Sequence, residues 1–431
     1  MTNILLIIAD DMRLDHLEYM PNVRKLIQEP GRTFTGARCN VALCQPNRIG
    51  LISGQLSRDH GDLSVGIDGS VYDGHDDALA AWTADAGYRC GLMGKYINFW
   101  DGVFTGGLDA PTGWSTWRQI LEQRSSADYD VHRESDVITI RDQYQTEYLA
   151  EQAAPFLADT EPWCLFLTPE QPHAPFSPHP RDLHAWDRER CRVVRLQDTS
   201  TKPAWIRERL PLNTQDWALI QQQFRGRLRE LTSVDRLVGE VIGQLDANGT
   251  LDDTVIMFTA DNGVHQGEHR RAGDATKSGP YDPALRVPLV VRGPGFEPGP
   301  VIDVPVYPMQ DITATIVDIA GATARGSAQA GTSLRDIARD PKAFSQRVLL
   351  HESGQGFIPT GDGVTTGPGH ELGYLKLFRY PSVRERADGA RDYELYDLEA
   401  DPDELVNLAA QPEMRTTREA LEQQLDQLLR S

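Results

Sequence analysis

The sequence predicts an α/β fold in which a large, mainly parallel sheet is flanked by helices and followed by a small C-terminal antiparallel subdomain. Two observations predict the large sheet: apolar β-branched runs alternate with segments of helical periodicity, and acidic pairs follow two of these runs. After about residue 345, short strand candidates follow one another with little helix between them, and a terminal helix closes the chain. We therefore expect a large α/β domain over residues 1–345 and a smaller antiparallel subdomain with a terminal helix over residues 346–431.

The elements of the large domain can be assigned in order. The apolar run at residues 3–9 is typical of a central parallel strand covered on both faces. Apolar residues at helical spacing begin at Pro21 and end before Gly31. Proline is common in the first turn of a helix and glycine just after its last residue, so a helix is predicted between them. The elements that follow are helices over 78–86, 144–158, 214–247 and 309–320, and strands over 88–93, 163–167, 254–259 and 287–291.

The remaining segments divide into the subdomain and two irregular stretches. Short strands are predicted over 347–351, 374–380 and 393–397, and a helix is predicted over 413–429. Residues 100–137 and 180–212 show weak periodicity and many turn residues. Long irregular stretches in a compact domain usually surround a site, so we expect loops there.

Composition and charge exclude several classes of protein. The 431 residues carry a formal net charge of −20, with 40% apolar residues, which disfavours disorder and binding to nucleic acid or an anionic membrane. The longest apolar run, residues 4–9, is far shorter than the ~20 residues of a membrane helix. Any anionic ligand must therefore meet a local cluster of positive charge.

The five cysteines do not form a recognisable framework. Their odd number and the absence of a C-x-x-C pair argue against disulfides or a zinc site, and Cys90 and Cys164 are predicted to pack as small buried hydrophobes. No basic segment or cleavage site precedes the first strand in the sequence as given, so we expect a cytoplasmic protein; an export signal removed from the sequence is the alternative.

Acidic pairs stand where two predicted strands end. Asp10 and Asp11 follow the first strand, and Asp261 and Asn262 follow the strand over 254–259. Ligands of open α/β sheets bind outside the carboxyl ends of the strands, and an all-oxygen set suits Ca²⁺ or Mg²⁺ rather than zinc. The alternative is that each pair only caps the turn that follows it.

The segment from Cys44 to Arg48 carries the sharpest chemical signal. Cys44 is a candidate nucleophile, and Pro46 is typical of a helix start that favours an anion. Arg48, one turn further on, would steady a thiolate or an oxyanion. The alternative is an ordinary helix start with a buried thiol.

The pattern C-x-P-x-R at residues 44–48, followed by residues 49–54, resembles the consensus motif of type I, formylglycine-dependent sulfatases of the alkaline phosphatase superfamily. The resemblance includes residues 8–13, before this motif, and continues after it in the family's order at residues 93–96, 171–175, 259–270, 277–281, 286–289 and 394–399. The details are most similar to the arylsulfatase and N-acetylglucosamine-6-sulfatase-like branch. The resemblance implies an alkaline-phosphatase-like fold and a sulfuric ester hydrolase that acts on a small sugar, aryl or alkyl sulfate.

The resemblance also implies a nucleophile and a metal. Cys44 would be converted to formylglycine by a formylglycine-generating enzyme, and the aldehyde hydrate would attack sulfur. The cation would be Ca²⁺, with Mg²⁺ as the alternative. The ligands implied by the match are Asp10, Asp11, Cys44 in its modified form, Asp261 and Asn262.

By the same resemblance, Arg48 steadies the formylglycine, and Lys95 and Lys277 bind the sulfate oxygens. His173 contacts the ester and protonates the leaving alkoxide. His265 is a candidate for the substrate pocket.

One position departs from the family's pattern. Many members have a histidine two residues after the motif lysine, and this chain has Ile97 there. We expect Asn98 to take over part of that role. It is therefore included among the candidate substrate-binding residues.

Two other functions remain alternatives. Relatives with the same cysteine motif cleave phosphorus esters, so a phosphonate monoester or phosphodiester hydrolase is one. A catalytically dead sulfatase-fold binding protein is the other. It is disfavoured because every matched charge for metal and sulfate is present.

Overall fold

The computed structural model describes residues 1–65, 72–98, 109–134, 136–273, 276–326, 329–354, 358–380 and 392–430. These residues form two sheets, one of nine strands and one of four. The strands are β1 (Asn3–Ala9), β2 (Arg32–Thr33), β3 (Arg89–Gly94), β4 (Trp114–Ser125), β5 (Asp128–Arg133), β6 (Asp136–Arg141), β7 (Trp163–Thr168), β8 (Thr254–Ala260), β9 (Leu289–Arg292), β10 (Leu349–Ser353), β11 (Gly361–Thr365), β12 (Leu375–Tyr380) and β13 (Asp392–Asp397).

The large sheet has the order β2-β9-β8-β1-β7-β3-β4-β5-β6. Its five central strands, β8, β1, β7, β3 and β4, run parallel, whereas β9 and β2 at one edge and β5 and β6 at the other pair antiparallel. Every residue of β1, β7 and β8 is buried, as expected of central strands covered on both faces. The predicted large, mainly parallel sheet is confirmed.

Helices flank this sheet. The long helix α7 begins and ends at the predicted residues, and Asn213 caps it by accepting hydrogen bonds from the backbone of Gln215 and Asp216. The helices are α1 (Pro21–Val23), α2 (Cys44–Ser53), α3 (Ser57–His60), α4 (Leu79–Asp85), α5 (Gln145–Leu157), α6 (Ala204–Arg207), α7 (Thr214–Ala247), α8 (Asp282–Leu285), α9 (Gln310–Ala320), α10 (Leu334–Arg339) and α11 (Arg415–Leu428). In the described part of the chain, no helix combines the length and apolarity needed to cross a bilayer.

The prediction of loops over residues 100–137 is wrong for its second half. Strands β4 and β5 and the beginning of β6 extend the large sheet there, while residues 99–108 lie outside the described residues. The periodicity is weak because bulges shift the register of β4 against both of its neighbours, and in β5 the buried Tyr129 and Val131 alternate with partly accessible polar residues only over a short stretch. Residues 180–212, by contrast, are mainly irregular, as predicted.

The small C-terminal sheet is antiparallel and has the order β10-β11-β12-β13. Strand β11 was not predicted, because Gly361 and Gly363 give it little strand propensity. A side chain at Gly363 would not fit, since its Cβ would lie 2.3 Å from the carbonyl oxygen of Leu377. Helix α11 covers this sheet through Leu421 and Leu425, as the predicted terminal helix requires.

The cysteines agree with the sequence analysis. All five are free thiols, and Cys90 and Cys164 are buried on the central strands. Their packing as small apolar side chains is confirmed.

Candidate active site

The candidate residues meet at one edge of the large sheet. Strands β8, β1, β7 and β3 are neighbours and run parallel, so their carboxyl ends lie side by side. The register pairs Ala9 with Ala260 and Gly94 with Thr168, at the last residues of these strands. The side chains that follow each strand are therefore brought together, which is the geometry expected of a ligand site in an open α/β sheet.

The two acidic pairs form one buried cluster. The backbone N–H of Asp11 donates to Oδ1 of Asp261 over 3.1 Å, and the Asn262 side-chain amide donates to Oδ1 of Asp11 over 2.7 Å. Asp11 holds the left-handed conformation with φ +65°, which is uncommon for a residue with a side chain. All of Asp10, Asp11, Asp261 and Asn262 are at most 2% exposed.

Each carboxylate of this cluster has a cationic partner within 2.8 Å. Lys95 Nζ lies 2.5 Å from Asp10 Oδ2, and Lys277 Nζ lies 2.7 Å from Asp11 Oδ1. Arg48 Nε lies 2.8 Å from Asp261 Oδ2. Two lysines and one arginine, far apart in the sequence, thus converge on the cluster.

These pairings set the ionisation of the cluster. Burial opposes the charged form of Asp10 and Asp11, but the nearby cations Lys95 and Lys277 outweigh it and lower the pKa of both carboxyls. For Asp261, burial and the adjacent charge of Asp10 outweigh Arg48 and raise its pKa. A divalent cation beside these groups would favour the ionised form of all three.

The donor set fits a hard divalent cation. Asp10 Oδ1 and Asn262 Oδ1 are buried and have no hydrogen-bond partner among the described residues, which is costly for polar atoms unless a ligand satisfies them. One ligand atom from each of Asp10, Cys44 and Asp261 lies within 4.8 Å of the others. Carboxylate and amide oxygens in this arrangement suit Ca²⁺ or Mg²⁺.

Cys44 stands at the beginning of helix α2, two residues before the predicted start at Pro46. Unpaired backbone N–H groups of the first turn give this end of the helix a partial positive charge. Arg48 anchors the helix by donating from Nη1 to the carbonyl of Lys95 over 2.8 Å, and Asn47 donates to the carbonyl of Asp261 over 2.7 Å. The candidate nucleophile is therefore held against the acidic cluster.

A cavity of about 620 Å³ opens over this cluster. Its wall contains the predicted residues Asp11, Cys44, Asn98, His173 and Lys277. The side chain of His173 is 37% exposed, and its Nε2 lies 3.7 Å from Asp11 Oδ2.

Three predicted residues lie behind this wall. Arg48 and Lys95 are buried and contact the acidic cluster. His265 is 1% exposed and its Nδ1 lies 3.0 Å from the carbonyl of Thr276, which does line the cavity. Contact of His265 with a substrate stays a prediction.

Three arginines of the cavity wall were not predicted from the sequence: Arg209, Arg227 and Arg271. Only Arg227 carries a signal that would have revealed it. It lies in α7 at helical spacing from the buried Ile220, Phe224 and Leu231, so a charge stands on the apolar face of the helix. Arg209 lies in an irregular stretch without pattern.

The fold and this site define a metal-dependent ester hydrolase of the alkaline-phosphatase-like class. The Sulfatase family model matches residues 2–322, and the model described as N-sulphoglucosamine sulphohydrolase, C-terminal, matches residues 267–431. The chain belongs to the sulfatase family. It is a sulfatase, a metal-dependent enzyme that hydrolyses sulfate esters.

One curated relative and two solved structures are similar to this chain over nearly its whole length. N-acetylglucosamine-6-sulfatase of Capra hircus is 27% identical over 451 residues, covering 94% of this chain and 80% of the relative. The solved structure of BT4656 in complex with its substrate D-glucosamine-2-N,6-O-disulfate superimposes with a TM-score of 0.84 at 20% identity, covering 100% of this chain and 97% of that chain. The phosphonate monoester hydrolase of Agrobacterium radiobacter has a TM-score of 0.75 at 21% identity, covering 99% and 95%.

Proposed function

We propose that this sulfatase cleaves a sulfate ester from the 6-hydroxyl of a glucosamine-type sugar, with a formylglycine made from Cys44 as nucleophile and Ca²⁺ as the preferred ion over Mg²⁺. The observation that carries the proposal is the position of Cys44, which lies beside Asp10 and Asp261 and also on the cavity wall. The cavity volume of about 620 Å³ suits a sugar. The named relatives support the choice of the 6-sulfate.

Asp10, Asp11, Asp261, Asn262 and residue 44 would hold the ion. It would supply Lewis-acid stabilisation of developing negative charge, and the formylglycine would supply a hydrated aldehyde as nucleophile. A formylglycine-generating enzyme would act on Cys44 before folding, because the thiol is 1% exposed in the folded chain.

The remaining groups position the ester. Lys277 lies on the cavity wall, where its ammonium group would bind sulfate oxygens. Lys95 and Arg48 keep Asp10 and Asp261 in place through their ion pairs. The beginning of α2 adds its partial positive charge on the same side.

His173 would donate a proton to the leaving oxygen of the sugar. A sugar alkoxide is a strong base, so its departure is slow unless a proton reaches it in the transition state. His173 is the histidine of the cavity wall in the described residues, and it is accessible to a substrate.

Asn98 would act where relatives carry a histidine. Ile97 is buried and has no polar side-chain group, whereas Asn98 lines the cavity and its Oδ1 has no hydrogen-bond partner in the part of the chain that the structure describes. This amide would orient a hydroxyl of the formylglycine hydrate.

The nucleophile is tested by peptide mass at residue 44 after co-expression with a formylglycine-generating enzyme. We expect the aldehyde in place of the thiol, and turnover in proportion to conversion. Cys44→Ala and Cys44→Ser should both lose turnover and keep the fold, whereas Cys90→Ala, at a buried thiol away from the site, should keep turnover per folded molecule. Wild-type turnover by the Cys44→Ala protein would refute the mechanism.

Substrate and metal are tested on the converted enzyme. We expect kcat/KM for sulfate release from N-acetylglucosamine 6-sulfate to be higher than kcat/KM for sulfate release from a 4-sulfated sugar. It should also be higher than kcat/KM for hydrolysis of an aryl phosphonate. Exhaustive chelation, with metal content measured, should lower activity by orders of magnitude, and Ca²⁺ should restore it better than Mg²⁺. Full activity of a metal-free sample would exclude the proposed metal site, and a preference for the phosphonate would favour the phosphorus-ester alternative.

A further inference from the structure

Residues 170–177, here named the His173 segment, lead from the end of strand β7 into the irregular stretch that follows it. His173 and Ala174, in the middle of the segment, line the cavity. The two ends of the segment instead contact helices, because Glu170 is hydrogen-bonded to α5 and Ser177 is hydrogen-bonded to α7. The segment therefore reaches the cavity from anchors on two separate helices.

Glu170 and Gln145 form a reciprocal pair of hydrogen bonds. The side-chain amide of Gln145 donates from Nε2 to Glu170 Oε2 over 3.0 Å, and its Oε1 accepts from the backbone N–H of Glu170 over 2.9 Å. Gln145 is the first residue of α5 and is fully buried, and its own backbone N–H donates to the carbonyl of Ser126 over 2.7 Å. The side chain and the main chain of Glu170 are thus both tied to the helix, which fixes where the His173 segment begins.

The turn after Glu170 connects this anchor to His173. The backbone N–H of His173 donates to the carbonyl of Glu170 over 2.9 Å, and the carbonyl of Gln171 accepts from the backbone N–H of Asp10 over 3.2 Å. The main chain of the segment is therefore hydrogen-bonded to a ligand of the proposed metal site. A displacement of Glu170 would change the position of His173 relative to that site.

The imidazole of His173 has few contacts of its own. Its Nδ1 lies 2.5 Å from the carbonyl oxygen of Ala174, and the ring makes no other hydrogen bond among the described residues. Only a protonated Nδ1 donates to that oxygen, so Nε2 is the ring atom left for a substrate, 3.7 Å from Asp11 Oδ2. With so few side-chain contacts, the position of the ring depends mainly on the main chain that carries it.

The far end of the segment is fixed separately. The backbone N–H of Ser177 donates to Glu230 Oε1 over 2.6 Å, and its carbonyl accepts from the hydroxyl of Tyr144 over 3.0 Å. Phe176 packs on α7 at Gly226, where a Cβ would lie 2.7 Å from its ring. The middle of the segment therefore depends on the near end for its remaining support.

We propose that Glu170 and Gln145 are positioning residues for the proton transfer from His173, because their hydrogen bonds hold the His173 segment where Nε2 reaches the leaving oxygen of the substrate. This inference rests on the proposed function, in which His173 is the acid. Neither positioning residue lies in the segments that resemble the family.

The step that depends on this position is the departure of the sugar. As the S–O bond breaks, its electron pair passes to the leaving oxygen and the Nε2 proton is transferred to the same atom. The imidazolium becomes a neutral imidazole, and the product is an alcohol. A general acid acts only within hydrogen-bond reach of the atom that it protonates, and a misplacement of about 1 Å costs on the order of 100-fold in rate.

The first experiment breaks the hydrogen-bond pair from each side. In the converted enzyme, Glu170→Ala and Gln145→Met are compared with the wild type on sulfates of increasing leaving-group pKa. We expect kcat to fall ~10- to 100-fold on a sugar sulfate and less than about threefold on a nitrophenyl sulfate, because only the sugar alkoxide needs the proton. Gln145→Met keeps the side-chain volume, so it provides the test if Glu170→Ala does not fold. A loss that does not grow with the leaving-group pKa in the folded variants would overturn the inference.

Glu170→Gln and Glu151→Ala are the matched variants. Burial raises the pKa of Glu170 to about 7, and its carboxyl group accepts the hydrogen bond from Gln145 with or without a proton, as the oxygen of an amide also does. Glu170→Gln should therefore keep the wild-type dependence on the leaving group. Glu151 is exposed on α5, so Glu151→Ala should leave turnover unchanged. An equal loss on the sugar sulfate in Glu151→Ala and Glu170→Ala would contradict the specific role of Glu170.

A double variant tests whether Glu170 acts through His173. In the His173→Ala protein the acid is already absent, so adding Glu170→Ala should lower kcat on the sugar sulfate by less than about threefold. Losses that multiply in the double variant would show that Glu170 acts independently of His173, which would overturn the inference.

The outcomes separate this inference from the proposed function. Absence of turnover on all sulfate esters by the converted wild type would overturn the proposed function. Equal losses along the series in His173→Ala itself would remove the proton donor and the inference with it. A His173→Ala loss that grows with the leaving-group pKa, without the same trend in Glu170→Ala and Gln145→Met, would overturn the inference alone.

Discussion

Arg48 connects several parts of the catalytic centre. Its Nε lies 2.8 Å from Asp261, its Nη2 lies 3.7 Å from Asp10, and its Nη1 donates to the carbonyl of Lys95. Because all of these groups are buried, the loss of one cation leaves a carboxylate without compensation. Side chains of this kind are sensitive to substitution even when they do not touch the substrate.

Lys277 is expected to contribute directly to catalysis, since it lies on the cavity wall next to Cys44. Its replacement by alanine removes a charge-assisted contact that strengthens as the S–O bond breaks. We expect kcat/KM to fall roughly thirty- to a thousand-fold, which corresponds to a loss of about 2–4 kcal/mol of transition-state stabilisation. Lys342→Ala, at an exposed lysine, is the control and should leave turnover unchanged. A loss below threefold in the Lys277→Ala enzyme would contradict this role.

The proposed proton donor predicts a dependence on the leaving group. His173→Ala should lower turnover of a sugar sulfate strongly and that of a nitrophenyl sulfate weakly, because only the sugar alkoxide needs a proton to leave. The measurement is kcat on a series of sulfates with increasing leaving-group pKa. Equal losses along the series would show that His173 positions the ester instead.

At the scale of elements, a buried ionic network joins strand β12 of the small sheet to helix α8 of the large domain. Lys376 Nζ lies 2.5 Å from Asp282 and 2.7 Å from Glu404, and Arg38 Nη2 lies 2.6 Å from Asp282. These side chains are at most 11% exposed. The network fixes the small sheet near the segment that carries Lys277.

Lys376→Met should therefore destabilise the protein strongly. It leaves the carboxylates of Asp282 and Glu404 buried with one cation fewer, and such losses typically cost about 3–5 kcal/mol. Chemical denaturation of the purified variant measures the change in the free energy of unfolding, with Lys342→Met as the exposed control. A change below about 1 kcal/mol, the level of surface ion pairs, would show that the network contributes little.

At the scale of the whole molecule, several buried glutamates predict how stability changes with pH. Burial is the main cause that raises the pKa of Glu170 and Glu404 to about 7 and that of Glu230 to about 8, from 4.5. Between these values the folded chain binds more protons at these three glutamates than the unfolded chain, which lowers the free energy of unfolding as pH rises. Buried histidines act in the opposite direction below about pH 6.5, because burial lowers the pKa of His16 and His351 to about 3 and that of His60 and His75 to about 4. The decrease caused by the glutamates is therefore expected between about pH 6.5 and pH 8. Asp11 has a lowered pKa, so its contribution is instead lost as pH falls below 3.8.

Glu230→Gln tests this dependence. The amide can still accept the hydrogen bond that the backbone N–H of Ser177 donates over 2.6 Å, but it does not titrate. The decrease in the thermal midpoint between pH 6.5 and pH 8 should be smaller in the variant than in the wild type. Glu240→Gln, on the exposed side of the same helix, is the control and should follow the wild-type curve. Parallel curves for all three proteins would contradict the assignment.

The sequence by itself determined the local secondary-structure elements and the candidate metal-binding and catalytic residues. The apolar run of β1, the spacing of α7 and the turn residues around them are local signals, and each element formed where it was predicted. The acidic pairs and the segment from Cys44 to Arg48 were also visible, because strand ends and motifs depend on neighbouring residues in the chain.

Only the tertiary structure decided which of these residues meet. The order β8-β1-β7-β3 brings Lys95 and Asp10 together across 85 positions, and no periodicity in the chain encodes that order. The strands of residues 114–141 were missed for a local reason: they pair mainly with their neighbours in the chain, but bulges interrupt the register of β4 and with it the alternation that predicts a strand. The arginines of the cavity wall were missed because the role of Arg209 or Arg227 depends on the cavity it faces, and that cavity is formed by segments that are remote in the sequence.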